Sequence, residues 1–152
     1  MSLSNSPTGR KLPDVEMQAD EQVRISTSGN LRPVGAEVYC LTPAGAPSTN
    51  ARGEGAGSGS SPGNRLNSKN MLLAYDLQQS LTRSLSVEDR GVQRARFAVL
   101  RDATMPAVLI EGGFMSHPSE GRKIFDAAYR REMARAITEG ILHYKRQTEG
   151  VD

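Results

Sequence analysis

The stretch MPAVLIEGGFMSHPSE, residues 105–120, governs how the rest of the chain is read. Four apolar residues, Ala107, Val108, Leu109 and Ile110, run straight into the carboxylate of Glu111, then into Gly112, Gly113 and Phe114. An apolar run without alternation reads as a strand buried on both faces, which calls for helices on both sides of its sheet. The acid that ends it is the informative residue, because a charge without a partner in an apolar setting costs several kcal/mol. The residues alone leave two readings open. Glu111 is a strand-end acid paired with an arginine such as Arg94, Arg96 or Arg101, or it serves a proton or a metal-bound species.

The flanking sequence supplies the rest of an α/β pattern. Residues 34–41, VGAEVYCL, read as a strand, with Val38, Tyr39 and Cys40 giving it β character. Residues 42–67 are dominated by Gly, Pro, Ser and Asn and read as a long flexible loop. Leu73, Leu77, Leu81 and Leu85 recur every four residues, which predicts a helix from about residue 68, with Asn67 or Ser68 as its cap. VEDRG at 87–91 reads as a turn, RFAVL at 96–100 as a second strand, and 107–110 as the third. Residues 119–147 read as one closing helix with Tyr129, Met133, Ile137 and Ile141 on a single ridge. Gly140 sits inside that helix against its propensity, which points to close packing with a neighbour. The organisation is then a polar, poorly ordered lead-in over 1–32, an α/β domain over 33–147, and a tail over 148–152.

Composition narrows the classes of function. The 152 residues suffice for one ordinary domain, and a net charge of +2 gives no strong pull toward nucleic acid or an anionic membrane. Trp is absent and aromatics are 5%, which argues against a stacking platform for single strands. A single cysteine, Cys40, excludes a disulfide framework and a cysteine-rich zinc site. No apolar run approaches the ~20 residues of a membrane-spanning helix. The first residues, MSLSNSPTGR, lack the apolar core of a secretion signal.

An ordered series of segments resembles the C-terminal half of a zinc-dependent N-acetylmuramoyl-L-alanine amidase catalytic domain. GAEVYCL at 35–41, NSKNMLLAYDLQQSL at 67–81, DRGVQRARFAVLRDATMPAVLIEGGFMSHPSE at 89–120 and YRREMARAITEGILHY at 129–144 carry it, the third most specifically. The resemblance implies a partial three-layer sandwich, with a mixed, mostly parallel sheet covered by helices and the N-terminal half missing. It also implies cleavage of the amide between N-acetylmuramic acid and L-alanine of the stem peptide. Glu111 takes the role of catalytic glutamate, general base and then acid. Gly112 and Gly113 would let the backbone pass close to metal and substrate, and Arg101 would meet an anionic part of the glycan or peptide.

The resemblance further implies zinc for the complete domain, held by two histidines and a glutamate that precede the matched region. Their motifs, a Gly-His-Gly-Gly-like loop and a Ser-Ile-His-Ala-Asn-like strand end, do not occur here. The two histidines, His117 and His143, have no ligand spacing, so no metal ligand is assigned in this chain. The expected partners are the peptidoglycan stem peptide and glycan, with no nucleic acid and no membrane segment. The expected location of the parent protein is the periplasm or cell exterior. The competing readings are a non-catalytic peptidoglycan-binding remnant and an α/β interaction module unrelated to cell walls.

Overall fold

Apolar residues at period two on strands and period four on helices build a sheet with a two-helix layer on one face. The computed structural model describes residues 22–28, 35–49, 59–114 and 118–150. Its elements are β1 (Gln22–Ser28), β2 (Ala36–Leu41), α1 (Asn67–Leu85), β3 (Asp89–Ala95), α2 (Ala98–Arg101), β4 (Ala107–Phe114), α3 (Pro118–Phe125) and α4 (Ala127–Glu149). The sheet order is β1-β4-β2-β3, with β1 parallel to β4, β2 parallel to β3, and β2 antiparallel to β4. The sheet is therefore mixed and mostly parallel, and the apolar run 107–110 occupies a central strand.

Strand alternation sorts the core into two faces. Val38 and Cys40 of β2, with Val108 and Ile110 of β4, join Leu73, Leu77 and Leu81 of α1 and Met133, Ile137 and Ile141 of α4. Tyr39 and Leu41 of β2 and Ala107 and Leu109 of β4 point the other way, where Leu100 of α2 covers them with Ala95 and Ala103. The helix ridges read from the leucine and isoleucine periodicity are thus core. Gly140 lies where α4 meets α1, and a Cβ there would sit 2.9 Å from Leu77 Cδ2 and 3.0 Å from Leu77 Cα.

Polar side chains fix the strand ends. Asn70 of α1 donates from Nδ2 to the Gly63 carbonyl at 3.2 Å, and its Oδ1 accepts the Ala107 amide at 3.0 Å, anchoring the start of β4. Gln78 donates from Nε2 to the Ala36 carbonyl at 2.8 Å and to Asp89 Oδ1 at 2.7 Å, tying α1 to the starts of β2 and β3.

Five expectations need correction. A strand, β1, occupies Gln22–Ser28 inside the stretch read as lead-in; its QVRISTS alternation is short and loses to the polar background. The segment 96–100 is not a strand: Ala98–Arg101 is a helical turn that presents Leu100 to the core, and a short apolar run does not distinguish the two. The neighbouring strand is instead Asp89–Ala95, so the turn placed at 87–91 shrinks to the residues around Ser86, which is left-handed at φ 49°. The closing helix is two helices, because Asp126 leaves the helical conformation and caps α4, accepting the Ala128 amide at 2.7 Å. Neither Asn67 nor Ser68 caps α1, which continues from a 3-10 turn over Pro62–Leu66 within the stretch read as loop.

Candidate active site

Glu111 sits where β4 changes character. It pairs with Glu37 of β2 on one side and Ser26 of β1 on the other. One step beyond, Ser28 pairs with Phe114, so β4 carries one residue more than β1 and bulges at the glycine pair. Gly113 adopts φ +149°, a backbone region that side-chain-bearing residues rarely enter. Gly112 faces α4: a Cβ there would come 2.8 Å from Met133 Cε and 3.1 Å from its Sδ, the flexible end of that side chain. The glycines thus bend the strand just after the acid and seat it on α4. Bulges of this kind re-aim neighbouring side chains.

Residues directly opposite on antiparallel strands share a face, so the Glu37 and Glu111 carboxyls lie on the same side of the sheet. That side is the one opposite the α1–α4 layer, beside Tyr39. Glu37 is buried, at 6% exposure, inside a strand that is otherwise apolar. Both of its oxygens are engaged: Arg90 Nε ion-pairs with Oε1, and the Tyr39 hydroxyl donates to Oε2 at 2.7 Å. The Tyr39 ring is itself held edge-on by Phe97, with centroids 5.4 Å apart.

Arg90 reaches Glu37 because of a second bulge. Between the pairs Ala36–Asp89 and Val38–Val92, β3 carries an extra residue, and Gly91 takes the positive φ of +73° that this requires. Asp89 Oδ1 accepts the Gly91 amide at 2.9 Å and holds the bulge in place.

Glu111 is half-buried. Burial raises its pKa above the ordinary carboxylate range, the Glu37 charge raises it further, and Arg90 acts in the opposite sense. A carboxyl of this kind is suited to accept a proton from water and give it back.

The structure brings together Glu111, Gly112 and Gly113 from the sequence-derived set. It does not bring Arg101 to them. Arg101 is exposed at the end of α2, which covers the Ala107 end of β4, about 13 Å of strand from Glu111 at 3.3 Å per residue. Among the described residues, no hydrogen bond or ion pair joins Arg94, Arg96 or Arg101 to Glu111. Arg96 instead holds the turn after β2, donating to Ser48 Oγ at 3.0 Å and to the Pro43 carbonyl at 3.4 Å. His117 lies outside the described residues. His143 is on α4, 3.0 Å from Asp76.

Sequence reasoning missed Glu37, Tyr39 and Arg90. The signal was present: a glutamate two residues before a tyrosine in a strand with buried neighbours needs a cation.

Zinc is typical of the family that the sequence resembles, and the donors near Glu111 among the described residues do not make a site for it. The nearest carboxylate, Glu37, is already taken by a guanidinium. Among the described residues, no three His, Cys, Asp or Glu side chains are grouped to hold a metal ion. No helix among them is long and apolar enough to cross a membrane.

Residues 23–143 match the Amidase_3 family, N-acetylmuramoyl-L-alanine amidase. N-acetylmuramoyl-L-alanine amidase LytC of Bacillus subtilis (strain 168) is 39% identical over 74 residues, 49% of this chain and 15% of LytC. The crystal structure of an N-acetylmuramoyl-L-alanine amidase from Clostridium difficile 630 matches with a TM-score of 0.66 and 28% identity, covering 86% of this chain and 60% of that one. N-acetylmuramoyl-L-alanine amidase AmiC2 of Nostoc punctiforme matches with a TM-score of 0.63 and 26% identity, covering 84% and 59%. The chain thus spans about three fifths of these solved structures and a much smaller share of LytC.

Proposed function

Since the chain belongs to the N-acetylmuramoyl-L-alanine amidase family, we propose that it acts in peptidoglycan hydrolysis, with Glu111 as the proton-handling residue. The bond is the amide joining the lactyl group of muramic acid to L-alanine of the stem peptide. The observation that carries this reading is a half-buried carboxyl of raised pKa at the bulged end of a central strand. Water adds to the amide carbonyl carbon and the carbon–nitrogen bond breaks. Glu111 takes the proton of the attacking water and passes it to the leaving nitrogen.

Zinc, which supplies Lewis acidity in this family, would be held by ligands that the described residues do not provide. Gly112 and Gly113 serve the site by bending β4 after Glu111. Arg101, at the other end of the strand, would meet substrate only at a distance from the scissile bond. Because peptidoglycan lies outside the cytoplasmic membrane, the working location is the periplasm or the cell exterior.

The test is release of new L-alanine amino termini from muropeptides, with and without added zinc. Release is expected, and Glu111→Gln is expected to abolish it while leaving the melting transition in place. Undiminished release by that variant removes Glu111 from the mechanism. Retention on peptidoglycan without release indicates a binding remnant, and neither activity nor retention indicates an interaction module.

A further inference from the structure

We propose that Glu37, gripped by Arg90 and Tyr39, is a positioning residue that governs when Glu111 holds a proton. The inference rests on the reading of Glu111 as the proton-handling acid and adds the group that sets its range. Glu37 stands directly opposite Glu111 across the β2–β4 ladder, where paired side chains have Cβ atoms about 4.5–5.5 Å apart. It is buried, and its two oxygens are occupied by Arg90 and the Tyr39 hydroxyl. Its negative charge therefore cannot swing away from Glu111 as an exposed glutamate would.

The arginine makes the buried carboxylate tolerable to the fold, and it lies one strand farther from Glu111 than Glu37 does. Of the two charges that act on Glu111, the like charge of Glu37 outweighs that of Arg90, which favours the protonated carboxyl. The same logic separates the roles of paired carboxyls in hydrolases that need an acid and a base at one site. Beside Glu111 on its other side is β1, whose register partner is the uncharged Ser26, and α3, which packs on β4, carries Arg122 and Lys123. On the opposite face, Asp89 is bound to Gln78 and the Gly91 amide.

A purely structural Glu37, one that only staples β2 to β3, would leave the titration of Glu111 unmoved. The experiment is a pH titration of the Glu111 side-chain carboxyl carbon by NMR in the full chain, which needs neither zinc nor turnover. Glu37→Gln is expected to move the Glu111 midpoint down, and Arg90→Gln to move it up. The double variant E37Q/R90Q, which removes both members of the ion pair, is expected to move it down by less than E37Q alone. An unmoved or raised midpoint in a folded E37Q or double variant overturns the proposal.

The unmodified chain gives a further readout. Protonation of Glu111 must appear as an inflection in the Glu37 carboxyl shift, and a Glu37 curve blind to that step overturns the proposal as well. These results stand apart from the hydrolase reading, which fails if the parent chain releases no amine, and whose assignment of Glu111 fails if Glu111→Gln still releases it.

Discussion

The buried carboxylate of Asp76 binds His143 through Oδ1, with Nδ1 at 3.0 Å, and Gln147 through Oδ2, with Nε2 donating at 2.7 Å. It is a polar clamp between α1 and α4 at the edge of their apolar seam. Asp76 is 5% exposed, whereas the His143 side chain is 58% exposed. Removing the carboxylate costs two hydrogen bonds and leaves a small void, while removing the imidazole costs one bond at a wet surface. Asp76→Ala is expected to lower stability by about 2 kcal/mol and His143→Ala by about 1 kcal/mol or less. Urea denaturation of both variants checks the order.

Gly140 sets how closely the same two helices approach. A methyl group there would meet the Leu77 Cα at 3.0 Å and the Asp76 carbonyl at 3.2 Å, neither of which can rotate aside. Gly140→Ala gains up to about 1 kcal/mol in helix propensity and loses about 1–3 kcal/mol to overpacking. A net loss of stability is expected, read from the urea midpoint. A more stable variant would show that the seam has room to open.

Glu111 makes stability depend on pH in a defined sense. Its folded pKa is raised, so the folded chain holds this proton more tightly than the unfolded chain does. The ionised group therefore costs stability above its folded pKa, and the cost disappears as pH falls below the unfolded value. Glu111→Gln removes the cost. Its stability relative to the parent is expected to rise as pH increases from the ordinary glutamate range through the raised folded value, and then to level off. Denaturation midpoints of parent and variant across that range check the sign.

Cys40 is buried in β2, and burial pushes its thiol up to about 11, with Arg94 and its own backbone pulling weakly the other way. Nucleophilic attack needs the thiolate and access to it. Alkylation of the folded chain near neutral pH is expected to run no faster than global opening, and to become rapid in denaturant. Fast labelling of the folded protein by iodoacetamide would contradict this burial.

How much of the fold could be read from sequence depended on how long each pattern ran. The four-residue leucine repeat and the unbroken run before Glu111 gave α1 and the centre of the sheet, because each pattern extends far enough to stand out. The α/β class and helical cover followed from them. Arg96 to Leu100 misled, because five residues of mixed character fit a strand and a helical turn equally well, and only the pocket beside Tyr39 and Leu41 decides. VEDRG at 87–91 reads as a turn because Asp89 and Gly91 are turn formers. The same chemistry serves a bulge within β3, and that choice depends on β2 being alongside.

Sequence singles out Glu111 as a candidate and does not reveal the residues around it. The acid announces itself by ending an apolar run. Arg90 reaches Glu37 across two neighbouring strands whose pairing is set by tertiary structure, and nothing local to residue 90 marks it. Arg94, Arg96 and Arg101 are nearer in sequence to Glu111. The arginine at the site is instead Arg90, bound to Glu37, because parallel pairing brings the start of β3, and not its end, beside the start of β2.

The strand order carries a consequence for biogenesis. β2, α1 and β3 form a self-contained crossover that the ribosome can deliver early. β1 is made before any of them, yet its pairing partner is β4, with Gln22 meeting Ala107. Among the described strands, β1 therefore meets its pairing partner only after β2, α1, β3 and then β4 have been made. Until then the β4-facing edge of β1 stays unpaired, a longer exposure than β2 and β3 have, which are joined by one crossover.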